Sequence, residues 1–479
     1  MFEEKHLWKA SFLWIKYLNY ECIHFDQDKG EIWLGNKKQN HIIIFKQGHF
    51  TTQELEFDKE RLISHHDDIT NFIGYNANRY DVYVLTEKSF NPTQFNVHQP
   101  VRVRFHCIDS IKSFDQMSDH FLIKRNLRHK DNKTEKEYKK RVLNPNIIER
   151  AMYRFTPVTY ALILINVLIW LIVTFFTPHH TDYEIINLGA LSHFNVVHGE
   201  WYRLLSSIFL HIDFQHLLFN MLSLYIFGKL VESFVGSLKM LGIYFFSGIF
   251  GNLLSLSFIT KGFSLGASGA IFGLIGALLA LMIISKRFER KMMLQIILAV
   301  LIMTGITLLI QNVNVVAHLG GLIGGGLITY LGYLFVAMRK YFYILVAITM
   351  MITIGMLVKI YTTPDINIYN QIIQDEMYSN HFSEAKDMVK QTYHNGYADD
   401  MTYYLSGLII ATQDSKAEAM AEWEHGVKLF PNSTQLNYEL AIANRSLGDN
   451  KKAKKYLSQV LKNDPKNKDY INLKKELDD

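Results

Sequence analysis

The sequence predicts a polytopic α-helical membrane protein, with a soluble α+β domain before the membrane part and an α-helical domain after it. Three observations carry this expectation. Charge is nearly absent from long stretches between 157 and 360 and dense on both sides, although the whole chain is 49% apolar and 20% charged. Several apolar runs in that interval reach the roughly 20 residues a bilayer-crossing helix needs. The segment beyond them repeats a 34-residue pattern. A wholly soluble protein is therefore excluded. The formal charge of +5 over 479 residues is too mild to argue for a nucleic-acid partner. Only two cysteines are present, Cys22 and Cys107, which excludes a disulfide scaffold. The opening MFEEKHLWKASFLW has two early acids and no cleavable signal pattern, so the N-terminus is expected to stay in the cytosol.

Residues 1–145 read as the N-terminal cytosolic α+β domain. Strand-like runs occur at Glu31-Ile32-Trp33-Leu34, His41 to Phe45, Asp81 to Leu85, and Val101 to Phe105, the last alternating apolar and basic. The basic stretch from Lys124 to Arg141 is expected to be a solvated linker or a helix near anionic headgroups. Ile44-Phe45-Lys46 resembles a nuclease strand end but lacks the acid two residues before the lysine. A regulatory or adaptor-binding role is expected instead.

Apolar spans are predicted at 157–176, 212–230, 239–259, 265–285, 292–310, 315–335 and 341–360. Basic residues cluster before the first (Arg150, Arg154), after the fourth (Lys286, Arg287, Arg290, Lys291) and after the sixth (Arg339, Lys340). All three clusters lie inside if the N-terminus does, which places the 177–211 loop and the C-terminal region outside. Residues 366–479 carry Ala385, Ala419 and Ala453 at 34-residue spacing, with Tyr404/Tyr438 and Pro431/Pro465 at the same interval. That is the tetratricopeptide (TPR) period: paired helices, a small residue where they cross, and a closing proline. A generic helical bundle is the plainer alternative. Either way the tail reads as a surface for an external protein or peptide partner.

Polar residues inside the spans are functional candidates, because each costs free energy unless it is paired or faces a cavity. The fourth span opens with Gly266-Ala267-Ser268-Gly269. Glycine on either side leaves the Ser268 hydroxyl open, and the unpaired N–H groups of a first helical turn would face any anion formed beside it. Gly269 and Gly273 could equally serve only as a small-residue packing face. The sixth span carries His318 at matching depth, with Gly320/Gly324 and Gly321/Gly325 as a close-approach face. His318 could then take and return a proton at Ser268. The spans hold no Asp or Glu near this pair, so a dyad is expected, with Phe272 one turn from Ser268 stacking on the imidazole. In the second span His216 and Asn220 share a helix face and can both donate to an oxyanion. His211 and His216 are not spaced to share a face, which argues against a metal site. No cofactor is expected.

These residues resemble the rhomboid family of intramembrane serine proteases. The matching pieces are Glu200-Trp201-Tyr202-Arg203, His211, His216 and Asn220, Glu232 with Gly236, Gly266-Ala267-Ser268-Gly269, and Ala317-His318-Leu319-Gly320-Gly321. The resemblance covers about 155–335. It implies a six-helix protease core within 146–340, a seventh transmembrane helix at 341–362 and an extracellular TPR domain at 366–479. This layout looks like the multidomain rhomboids of Gram-positive bacteria, the GluP-like group. By that likeness the protein is a multi-pass cell-membrane enzyme that cuts peptide bonds in or near transmembrane segments, in membrane-protein quality control or regulated release. Ser268 would be the nucleophile and His318 the base. The Ser268 N–H, His216 and Asn220 would form the oxyanion hole, and Gly266 would leave room for the substrate backbone. Trp201 and Arg203 would anchor the external loop at the lipid interface. A good substrate would carry helix-weakening residues near the outer leaflet.

Two other classes fit less of the chain. One is an inactive rhomboid-like binder or adaptor, which retained serine and histidine argue against. The other is a histidine-rich transporter or metal sensor, suggested by His179-His180, His193, His198 and His65-His66-Asp67-Asp68. The last run is expected to be a solvated turn.

Overall fold

The computed structural model describes residues 3–144, 146–177, 181–285 and 314–478, together with 290, 293–295, 297, 298, 301, 302 and 305. The chain divides into two compact units, 1–160 with 228–240, and 161–227 with 241–479.

In the first unit a five-stranded sheet runs in the order β1 (Glu21–Asp26), β2 (Glu31–Asn36), β3 (His41–Gln47), β4 (Arg79–Leu85), β5 (Arg102–Ile108). The first three strands pair antiparallel and the last three parallel. Both faces of β3 are covered, which is why its sequence is a continuous apolar run instead of an alternation. Ile43 and Phe45 meet Trp8, Phe12 and Trp14 of α1 (Glu4–Leu18). Ile42 and Ile44 meet Leu55 and Leu62 of α2 (Thr52–Ser64), which with α3 (His66–Ile73) forms the β3–β4 crossover. The four expected strands are present, and β1 joins them.

Two expectations for this unit are corrected. The Lys124–Arg141 stretch is no solvated linker: the Phe121–Arg128 and Glu135–Val142 helices bury Ile123, Leu127, Tyr138 and Val142 against α1. Each helix has apolar residues four apart on one face, so its basic residues decorate an amphipathic pair. His66-Asp67-Asp68 opens α3 instead of forming a turn, with His66 Nδ1 2.9 Å from the Tyr80 hydroxyl. Lys46 is buried and ion-paired to Glu31 at 2.8 Å and to Asp58.

Asp131 ties the basic helices to α1. It pairs with Lys9 at 3.0 Å and accepts the Tyr138 hydroxyl at 2.9 Å. Burial alone would raise its carboxyl, but the Lys9 ammonium, the Tyr138 hydroxyl and the Lys133 N–H outweigh it and hold the value at about 2, below the ordinary 3.8. A depressed carboxylate stabilises the fold above its ordinary value, and that contribution fades as pH falls from about 4 towards 2. Asp131→Asn is expected to speed amide hydrogen exchange over 135–142 of the full-length protein about tenfold at neutral pH.

The apolar part comprises α4 (Pro157–Phe176), α5 (Phe214–Val235), α6 (Ser237–Leu256), α7 (Ser268–Ile284), α8 (Val315–Ala337) and α9 (Arg339–Thr362). All but the 17-residue α7 are long and apolar enough to cross a membrane. Exposed Leu164, Leu168, Ile172, Met351, Ile354 and Val358 on α4 and α9 suit lipid and would be a liability in water. With these helices and the N-terminal sheet, the protein is a polytopic helical membrane protein. The span expected at 292–310 lies mostly outside the described residues. Buried Glu232 on α5 accepts the N–H groups of Val158 and Thr159 at 3.1 and 2.8 Å, capping the start of α4.

Seven helices follow: α10 (Ile368–Tyr378), α11 (Phe382–His394), α12 (Asp400–Gln413), α13 (Lys416–Leu429), α14 (Thr434–Ser446), α15 (Asn450–Asn463) and α16 (Lys468–Asp478). The first six pack as consecutive pairs. Ala385, Ala419 and Ala453 are fully buried on the second helix of each pair.

Candidate active site

The site forms where two glycine-faced helices begin side by side. Asn314 caps α8 by accepting the Ala317 N–H at 2.9 Å, and its own amide donates to Ser255 at 2.6 Å and Ser264 at 3.1 Å. Ser268 is the first residue of α7. Between the helices backbone meets backbone. A Cβ on Gly321 would lie 1.9 Å from the Gly269 carbonyl oxygen, and one on Gly325 1.8 Å from that of Gly273. This spacing brings His318 Nε2 to 2.6 Å from Ser268 Oγ. Phe272 lies flat on the imidazole, with ring centres 4.4 Å apart and planes 7° from parallel. A stacked ring limits how far the imidazole can turn while leaving its nitrogens free.

The turn before Ser268 is held from the loop between α4 and α5. Gly266 has φ +115°, donates its N–H to the Ser207 carbonyl at 2.8 Å, and faces the His216 imidazole. A Cβ there would lie 2.8 Å from two ring atoms of His216. Gly266→Ala thus combines a strained backbone with a clash, and is expected to lower serine-probe labelling at least tenfold while the protein still inserts.

Asp213 caps α5 by accepting the His216 N–H at 2.7 Å. Asn220, one turn on, donates to the His216 carbonyl at 2.9 Å, which leaves the second hydrogen of its amide for another acceptor. His216 borders the turn before Ser268 through its close approach to Gly266. His211 and His216 do meet, with ring centres 5.0 Å apart. Helical spacing does not reveal this contact because His211 precedes the helix. His193 contacts the Ile360 carbonyl at 3.1 Å and His198 that of Phe194 at 2.8 Å. His179 and His180 lie outside the described residues. Among the described residues, no three His, Cys, Asp or Glu side chains gather as a metal site.

Trp201 is half-buried, with its ring 5.9 Å from that of Tyr361. Arg203, expected at the lipid interface, is only 2% exposed. Its guanidinium is paired to Glu200 at 2.6 Å and donates to the Ala190 carbonyl at 2.8 Å, so it braces the loop from within. Sequence reasoning assigned no role to Glu200, Asn195, Ser207 or Asn314. The polar cap position of Asn314, four residues before His318, was the one available signal.

A hydroxyl and an imidazole in hydrogen-bond contact at the ends of two membrane-type helices define the class: a polytopic membrane protein built around a serine–histidine pair. Residues 198–335 match the Rhomboid domain. The chain is 33% identical over 187 residues to YdcA, a rhomboid of Bacillus subtilis, covering 37% of this chain and 89% of that protein. It is 37% identical over 168 residues to the Rhomboid protease GluP of the same organism, covering 35% of this chain but 33% of GluP. RHOMBOID-like protein 1 of Arabidopsis thaliana is 39% identical over 162 residues, 33% of this chain and 40% of that protein. The chain belongs to the rhomboid family of intramembrane serine proteases, and it spans a third of GluP.

Proposed function

We propose that this protein cleaves peptide bonds in or near the transmembrane segments of other membrane proteins, with Ser268 as nucleophile and His318 as general base. The 2.6 Å contact between Ser268 Oγ and His318 Nε2 carries the reading. In the first half-reaction Oγ attacks the scissile carbonyl carbon as Nε2 takes its proton. The carbon–nitrogen bond then breaks, and the imidazolium returns the proton to the leaving amine. Water, activated by the same imidazole, releases the acyl group. The negative oxygen of each intermediate is met by the Ser268 N–H at the start of α7, by the His216 ring and by the Asn220 amide. Gly266 leaves space for the substrate chain beside them.

The membrane layout belongs to the same proposal. α7 and α8 both begin at the site, so the chain between them must return to the same end of the pair. The seven-span count expected from the sequence, whose 292–310 segment lies mostly outside the described residues, is consistent with that requirement. With basic clusters inside, the N-terminal domain is cytosolic, and the Ser268 site and C-terminal helices face outside. The 34-residue spacing of buried Ala385, Ala419 and Ala453 supports TPR units that receive an external protein or peptide. A role in membrane-protein quality control or regulated release follows. The rival reading, an inactive binder, is disfavoured by the retained and adjoining serine and imidazole. A fluorophosphonate probe should label the full-length protein and leave Ser268→Ala unlabelled. An unlabelled parent would overturn the catalytic reading.

A further inference from the structure

The C-terminal helices are not simply tethered beyond the last span. Ile372 and Ile373 of α10 and Val389 of α11 share one core with Tyr183, Ile186 and Phe194 of the loop between α4 and α5. Polar contacts lie along this seam. The Tyr397 hydroxyl donates to the Glu200 carboxylate. The Asn195 amide bridges Glu200 at 2.9 Å and the Tyr369 hydroxyl at 3.0 Å. The rings of Tyr369 and Tyr397 stack, with centres 5.2 Å apart and planes 9° from parallel.

Glu200 is the node of that seam. Tyr202 donates to it at 2.6 Å, and Arg203 pairs with it at 2.6 Å. Burial would push its carboxyl up, but Tyr202, Tyr397, Asn195 and the Arg203 charge outweigh burial and hold it down at about 2. At neutral pH it is a carboxylate whose acceptor sites are filled. What it positions leads to the reactive serine by two short routes. Arg203 opens the turn Arg203–Ser206, and the next residue, Ser207, accepts the Gly266 N–H at 2.8 Å. Leu191, next to the Ala190 carbonyl that Arg203 holds, pairs with Ser264 in the two-stranded ribbon just before the Gly266-Ala267-Ser268 turn.

We infer that Tyr397 is a positioning residue for the Ser268 turn, and that the C-terminal helices form part of the scaffold of the proteolytic site. The inference rests on the proteolytic reading and extends it: whatever shifts α10 and α11, including a partner seated on the helices that follow, alters reactivity at Ser268.

The test uses the full-length protein in detergent or nanodiscs and the rate of Ser268 labelling by a fluorophosphonate, with Ser268→Ala as blank. Tyr397→Phe keeps the stacked ring and removes one hydrogen bond to a charged group. It should slow labelling about threefold to tenfold. Tyr393→Phe is the control, because the Tyr393 hydroxyl bonds Glu422 within the tail at 2.6 Å and should leave the rate unchanged. Thermal unfolding is measured for each variant. A Tyr397→Phe rate equal to the parent, or equal slowing in both variants, overturns the inference. If the parent does not label, the proteolytic reading fails by itself. Hydrogen exchange over 263–268 then decides the inference: faster exchange in Tyr397→Phe supports it, and unchanged exchange overturns it.

Discussion

Ser268→Ala and His318→Ala are each expected to reduce cleavage of a co-expressed, tagged single-span substrate to background, while the full-length variants accumulate in the membrane at parental levels. The expected loss is about a thousandfold or more for either change, and combining them should cost little beyond either alone, because the proposed nucleophile and base would act as one unit. Ser268→Ala removes one half-buried oxygen at a helix start, where alanine is well tolerated, so folding should survive. His318→Ala removes a side chain only 7% exposed and bares the Phe272 face, so some loss of stability accompanies it. His318→Gln, which refills most of that space without a base of useful pKa, separates the two effects. Cleavage above a tenth of the parental rate in either alanine variant would refute the dyad.

Gly321→Leu is expected to abolish labelling and cleavage, whereas Gly332→Leu on the same helix should leave both near parental levels. The contrast follows from what a side chain meets at each position. At Gly321 a Cβ would lie 1.9 Å from the Gly269 carbonyl oxygen, whereas at Gly332 it meets nothing within 4 Å. The first change drives α7 and α8 apart, and the cost of overpacking is about 1–3 kcal/mol or more. The larger effect is geometric. His318 sits three residues before Gly321, so parting the helices lengthens the 2.6 Å contact, and a displacement of about 1 Å is enough to lose on the order of a hundredfold in rate. Equal labelling of the two leucine variants would show that the tight crossing does not set the geometry of the pair.

The contact of Ser268 with His318 and the stacking of Phe272 on that ring were legible because charge-free surroundings make every polar side chain conspicuous, and helical periodicity fixes which neighbours share a face. The glycines at 269, 273, 321 and 325 were legible for the same reason: pairs four apart in an apolar helix signal close approach. Local period also revealed four strands of the N-terminal sheet. It left the Lys124–Arg141 stretch open between linker and helix, because lysine and arginine outnumber the Ile123, Leu127, Tyr138 and Val142 that bury against α1. It failed on Arg203, because a charged residue reads as a surface residue unless its carboxylate and carbonyl partners are known.

The sequence by itself determined the membrane class, the polar side chains set within apolar helices and the small-residue faces that let two helices touch, since each is written within one or two helical turns. Tertiary structure alone decided that Asn314 bridges Ser255 and Ser264, that Ser207 holds Gly266, and that Tyr369 and Tyr397 reach Asn195 and Glu200 across more than 170 residues of chain. Such pairings carry no periodic signature. They exist because burying the apolar faces of the tail and of the 182–210 loop in one core brings polar groups together, and a buried polar group without a partner costs more than the ordering needed to find one.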